Sequence, residues 1–149
     1  MARAPYQVLV FPFYRENNIL RFAIFLRSDR NLWQAVSGGG EDGETTLETA
    51  VRETREETGV ACTAESFIPL ASKTMIPANE FPEGDWGPDI IEIPEHSFGV
   101  EFPSAQIKLS DEHTQFVWLD IEKARTQLFW KSNVQALNEL YQILTGNSY

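Results

Sequence analysis

Glu53, Glu56 and Glu57 fall within five consecutive residues of the segment Arg52-Glu53-Thr54-Arg55-Glu56-Glu57-Thr58-Gly59-Val60, closing a stretch from Glu41 that holds seven acidic residues. On one turn of helix these three carboxylates repel each other, which costs stability. A hard divalent cation relieves that repulsion, because Mg²⁺ and its relatives bind carboxylate oxygens. Charge runs are more often solvated helix faces. Such faces, however, tend to set Glu four residues before Lys or Arg, whereas Glu53 and Glu57 repeat one sign at that spacing. The pattern points to a metal-binding helix.

Local signals delimit that helix. Gly38 to Gly43 reads as a glycine-rich loop, and Thr45-x-x-Glu48 fits a capping box with Thr45 as N-cap. Gly59 stands where a left-handed C-terminal cap is expected. Leu47, Ala50, Val51, Thr54 and Thr58 recur at helical spacing as a buried stripe. At roughly 100° per residue, the carboxylate face lies about 120° from that stripe. The three glutamates should therefore face a cleft or water, not the core. Arg52 falls beside them and is placed to steady Glu44 or Glu53 through a bidentate pair.

These residues resemble the signature of the Nudix hydrolase family. Gly38 is followed after five residues by Glu44, and after seven more by Arg52-Glu53, with Glu56, Glu57, Gly59 and Val60 in register. Thr54, at a position usually aliphatic in the family, is the one departure. The resemblance implies an α/β (α+β) Nudix fold, a mixed β-sheet sandwiched between α-helices. It also implies hydrolysis of a phosphoanhydride with Mg²⁺ (or Mn²⁺). Glu56 and Glu57 would be the foremost metal ligands, and Glu53 a further ligand or the base. The carbonyl of Ser37 would be an extra ligand, with Glu44 supporting the ligands and Arg52 orienting them. A distant carboxylate often completes such sites, and Glu112 in Leu109-Ser110-Asp111-Glu112-His113 is the candidate, as ligand or base, against the reading of a plain surface turn. Glu95 and His96 are weaker alternatives. His113, a lone histidine in a turn, reads as solvated. Arg27, ending its strand, is a candidate phosphate clamp because a guanidinium grips two oxygens.

Composition agrees with a small enzyme. The 149 residues fit a single domain spanning the chain and suffice for a sizeable core. A net charge of −10 argues against binding a nucleic acid polymer, which needs a basic footprint. No apolar run reaches membrane-spanning length, and Met1-Ala2-Arg3-Ala4-Pro5 lacks a signal-peptide layout. The single cysteine, Cys62, permits no intrachain disulfide and reads as core filler, so a reducing, cytoplasmic setting is expected. Whether the chain is a monomer or a homodimer stays open.

Strands are expected over Tyr6–Tyr14, Leu20–Arg27, Leu32–Val36, Cys62–Lys73, Glu95–Phe102 and Gln115–Leu119. Helices are expected over Ile121–Gln127 and Asn133–Leu144. Between them, Thr74 to Glu95 holds four prolines with Phe81 and Trp86. Such a long connection is either a floppy insertion or a lid over a substrate.

Three further stretches resemble one branch of the family, the dihydroneopterin triphosphate pyrophosphatases: Trp33-Gln34, Trp118-Leu119-Asp120 and Trp130-Lys131-Ser132-Asn133. That likeness implies a small phosphorylated substrate, a nucleoside- or pterin-like triphosphate, cut to the monophosphate and pyrophosphate. Trp33, Phe129, Trp130 and Asn133 would then line a ring pocket, with aromatic faces stacking and Asn133 bonding the ring edge. The competing reading packs Phe129 and Trp130 under the last helix and makes Asn133 its N-cap. A nucleotide-sugar or ADP-ribose hydrolase and a non-catalytic nucleotide sensor are the alternative functions.

Overall fold

The computed structural model of the chain describes residues 2–148. Its longest strand, β1 (Arg3–Glu16), organises the sheet. β2 (Ile19–Arg27) folds back antiparallel through Asn17 and Asn18, both in left-handed backbone (φ 51° and 67°). Two adjacent residues of that hand make the tight hairpin that asparagine tolerates. β3 (Trp33–Gln34) and β7 (His113–Leu119) pair with β2, while β4 (Val36–Glu41) pairs with the first half of β1. On the other side β6 (Glu92–Glu101) runs parallel to β1, and β5 (Phe67–Pro77) closes that edge antiparallel to β6. Helix α1 spans Thr46–Thr58, α2 Ile121–Gln127 and α3 Lys131–Thr145.

Alternation along β1 splits the interior into two cores. Leu9, Phe11 and Phe13, with Phe22 and Ile24 of β2, meet Ala124 of α2 and Ala136, Leu137 and Leu140 of α3. Val8 and Val10, with Ala23 and Phe25, face Val36 and Ala50, under α1. The pairing of Phe13 with Phe22 keeps this sorting, since a slip of one residue would exchange the faces. Gly99 of β6 lets α3 come close: a Cβ there would lie 2.5 Å from a methyl of Leu140. The expected mixed sheet between helices is thus observed. No helix among the described residues is long and apolar enough to cross a membrane.

Several boundaries differ from the sequence expectation. Gly38, Gly39 and Gly40 belong to strand β4, not to a loop, and of the segment's glycines only Gly43 takes a positive φ (88°). The strand expected from Cys62 starts at Phe67, after a single 3-10 turn over Ala64–Ser66, and continues to Pro77. β6 begins at Glu92, so the proline-rich connection contracts to residues 78–91. Pro77 lies on edge strand β5, and Pro94 precedes the stretch of β6 that pairs with β1. Both are positions where a missing N–H is tolerated. α3 starts at Lys131, two residues before the expected Asn133.

Candidate active site

Helix α1 begins with the expected capping box: Glu48 N donates to Thr45 Oγ1 and Thr45 N donates to Glu48 Oε1. It ends at Gly59, whose φ of 74° carries the left-handed cap. From its middle, Arg52 reaches across to β4. Its Nε donates to Glu44 Oε2 at 2.8 Å, Nη1 to Glu53 Oε1 at 2.8 Å, and Nη2 to the Gly39 carbonyl at 2.9 Å. Glu56 Oε2 lies 3.3 Å from the same Nη1. Arg52 therefore steadies Glu44 and Glu53 together. Glu44 also accepts from Thr49 Oγ1 and from the Glu41 amide. The Arg52 hydrogen bond above all, aided by those two donors, pulls its pKa down to about 2.

The three glutamates do not share one exposed face. Glu56 is half exposed, but Glu53 is 8% and Glu57 3% exposed. Glycines make that burial possible: a Cβ on Gly38 would sit 2.1 Å from the Glu53 carboxyl carbon. Burial pushes the Glu53 pKa up to about 7 against the pull of Arg52, with repulsion from Glu56 and Glu112 adding to it. For Glu57, burial also raises the pKa, yet His113, Glu112 and Ser110 outweigh it and hold the group low. Glu112 moves the opposite way, raised by burial and by the neighbouring Glu57 carboxylate.

His113 is not solvated. Only 5% exposed, it heads β7 against the Phe25 ring, 5.3 Å away between centroids. Its Nδ1 stands 3.0 Å from Glu57 Oε2, a charge-pair distance without hydrogen-bond geometry. Glu57 Oε2 and both ring nitrogens of His113 are thus buried without a hydrogen-bond partner. A turn position hides this in the sequence, because the burial comes from β7 pairing with β2.

A cleft of about 470 Å³ opens beside these groups, lined by Arg3, Arg27, Ser37, Gly38, Glu112 and His113. A second, of about 240 Å³, is walled by Met75, Phe81, Glu95, Trp130 and Asn133. Gln7, Arg27, Gln34 and Ser37 line both, so the two clefts adjoin. Ser37 Oγ accepts from Gln7 Nε2 at 2.8 Å. Arg27 is at the junction, but its fork holds Asp29, at 2.8 and 2.6 Å.

The ring-pocket candidates divide. Trp130 and Asn133 line the smaller cleft, whereas Trp33 packs against the core and lines neither. Phe129 is 61% exposed and so does not pack α3 onto the sheet, contrary to one expectation. Asn133 is not the N-cap of α3 either. Its Oδ1 accepts from the Ala35 amide at 3.0 Å, satisfying the break between β3 and β4. In the 78–91 segment, Trp86 Nε1 donates to the Arg3 carbonyl at 2.6 Å. The Arg3 guanidinium lies 5.2 Å from the Phe81 ring centroid and 5.4 Å from that of Trp86. The segment is latched to β1 beside the larger cleft. Gln7 and Arg3 escaped the sequence reading, and Gln34 entered it only within the Trp33-Gln34 likeness, although a buried glutamine inside an apolar strand is a usable signal.

Glu53, Glu56, Glu57 and Glu112 would supply an all-oxygen donor set of the kind that hard cations take. No group of three or more His, Cys, Asp or Glu among the described residues is gathered tightly enough to hold an ion as it stands. Arg52 draws Glu53 and Glu56 to its own side, while Glu57 and Glu112 meet on the other.

A family model, the NUDIX domain, matches residues 5–140. A solved structure from Listeria monocytogenes str. 4b F2365, assigned as a NUDIX hydrolase, is 35% identical with a TM-score of 0.85, covering 97% of each chain. Dihydroneopterin triphosphate diphosphatase of Escherichia coli (strain K12) is 28% identical over 115 residues, 76% of this chain and 77% of that protein. The asymmetrical bis(5'-nucleosyl)-tetraphosphatase of Mus musculus is 29% identical over 133 residues, 87% of this chain and 84% of that protein.

Proposed function

The chain belongs to the NUDIX domain family, and from that membership we propose that it cleaves a nucleoside- or pterin-like triphosphate to the monophosphate and pyrophosphate. It is a hydrolase acting on phosphoanhydride bonds, in a family that generally uses divalent metal ions on small phosphorylated substrates. The observation that supports the substrate class is the pair of adjoining clefts: Asp111 and Glu112 line one, aromatic side chains wall the other, and Gln7, Arg27, Gln34 and Ser37 line both.

Glu53, Glu56 and Glu57, with the Ser37 carbonyl, would hold Mg²⁺ or Mn²⁺, with Glu112 either a further ligand or the base. When bound, the ion neutralises phosphate oxygens and lowers the pKa of a bound water. Hydrolysis adds water across the P–O–P bridge, so its proton must pass to a base. Glu112 suits that role, because it lines the open cleft and its pKa is raised toward neutrality. Glu53 lies behind Gly38, held by Arg52. Arg27, released from Asp29, would clamp phosphate oxygens. Arg52 positions Glu44, Glu53 and Glu56 and does not touch substrate.

The test is incubation of purified protein with Mg²⁺ and dATP, dihydroneopterin triphosphate or ADP-ribose, followed by product analysis. Pyrophosphate is expected, with Glu56→Gln and Glu57→Gln each losing at least about 10²-fold in kcat. Wild-type turnover by both variants would overturn the ligand assignment. The likeness to the mouse tetraphosphatase favours a second reading, a dinucleoside tetraphosphate as substrate. Its products would be a mononucleotide and a nucleoside triphosphate, without pyrophosphate.

A further inference from the structure

The smaller cleft is lined by a buried carboxyl group, Glu95. Glu95 sits on β6 between Gln7 of β1 and Thr74 of β5, and is 6% exposed. A buried carboxylate is costly unless paired. The two nearby cations of the cleft face other partners: Arg27 holds Asp29, and Arg30 stands 3.7 Å from Glu80. Ser132, in the first turn of α3, is the one group that draws the Glu95 pKa back against burial, which otherwise lifts it to about 7. A buried carboxyl lining a cleft, with a single serine as partner, is a candidate ligand-binding group.

Its surroundings suggest the ligand. Trp130 and Phe81 offer aromatic faces, and Met75 a soft apolar wall, for one flat ring. Asn133 supplies a polar atom of fixed kind. Because the Ala35 amide must meet an acceptor, the Asn133 oxygen is committed and its Nδ2 is left as the donor, with only a long 3.5 Å bond to Ser132 Oγ. The recess thus presents a carboxylate and, one residue beyond its serine neighbour, an N–H donor.

We propose that Glu95 reads the edge of the substrate ring, accepting from two adjacent N–H donors while Asn133 Nδ2 donates to the neighbouring ring carbonyl. Guanine-type and pterin-type rings, with a carbonyl, a ring N–H and an exocyclic amine in sequence, match this array. Adenine reverses it: its amine would face the Asn133 donor and its ring nitrogen the Glu95 acceptor. Charge-assisted bidentate bonds of this kind are the strong, orienting ones. The proposal rests on the triphosphate reading above and names the ring which that reading leaves open.

Two measurements separate the claims. With Mg²⁺, wild type should hydrolyse dGTP with kcat/KM about 10–100-fold above dATP, the range expected for one bidentate pair. Glu95→Gln should lose that preference, chiefly through a raised KM for dGTP. Glu95→Ala guards against a fortuitous bond from the glutamine. With EDTA and no turnover, quenching of tryptophan fluorescence should show GMP bound about 10-fold or more tighter than AMP, and equally weak binding of both in Glu95→Gln. Equal use of dGTP and dATP by wild type, or an equal fall for both in the variants, overturns the ring assignment while leaving the hydrolase reading intact. Absence of hydrolysis with any triphosphate would remove that reading, and the GMP-to-AMP ratio would still decide the role of Glu95.

Discussion

Gly38 and Glu53 compete for one volume, and that competition fixes the site at the finest scale. A Cβ on Gly38 would stand 2.1 and 2.3 Å from the carboxyl carbon and Oε2 of Glu53. The backbone of Gly38 has no positive φ, so glycine is required there for space and not for conformation. Because the obstructing atoms end a flexible side chain, Gly38→Ala should fold, with Glu53 swung away from Arg52. The expected result is a fall in kcat of roughly 10–100-fold, of the size seen when an outer group that orients a metal ligand is lost, and a melting temperature within a few degrees of wild type. A variant that retained full kcat would show that the position of Glu53 does not matter. At this scale the sequence was readable where residues are adjacent: Arg52, Glu53, Glu56 and Glu57 lie on one helix, as their spacing implies. It was unreadable for His113, whose burial depends on β7 pairing with β2 across 86 positions between Arg27 and His113.

Elements were recovered best where caps and periodicity agree. Helix α2 has the expected bounds of Ile121–Gln127, with Asp120 as N-cap, and α1 has its capping box and its glycine cap. The β4 glycines were misplaced because glycine signals turns by default, and only tertiary crowding from Glu53, Arg3 and Tyr6 explains glycine inside a strand. The proline-rich connection was overextended because a proline on an edge strand reads as a breaker. What remains of it, residues 78–91, is latched by Trp86 onto Arg3. A Cβ on Gly84 would meet the Trp86 ring at 2.5 Å. Trp86→Ala and Gly84→Ala should therefore act alike: faster proteolysis within 78–91, a raised KM, and little change in melting temperature, because neither residue belongs to the two cores. If both variants kept wild-type KM and protease resistance, the segment would have no part in substrate retention.

Across the whole molecule, the two-faced sheet carries an excess of negative charge, −10 overall, and concentrates part of it under α1 and β4. The pKa shifts there pull stability in opposite directions with pH. Glu44, lowered from 4.5 to about 2, contributes stability that is present above pH 4.5 and is lost as pH falls toward 2. Glu53 and Glu95, raised from 4.5 to about 7, bind protons more tightly folded than unfolded. Their effect is most favourable below pH 4.5 and is lost as pH rises through 7. On these shifts the metal-free protein should be most stable near about pH 4 to 5 and should weaken as pH rises to about 7. A divalent cation reverses that trend, because its ligands must be deprotonated before they bind it. At pH 8, Mg²⁺ at about 100 times its Kd should add about 2.7 kcal/mol, raising the melting temperature by roughly 5–10 °C. At pH 5.5 the same concentration should raise it by no more than about 2 °C, because Glu53 and Glu112 hold their protons. Glu57→Gln should abolish the shift at both pH values. Thermal melts with and without Mg²⁺ decide the matter: an equal shift at pH 5.5 and pH 8 would mean that the carboxyls with raised pKa values are not the ones that meet the ion.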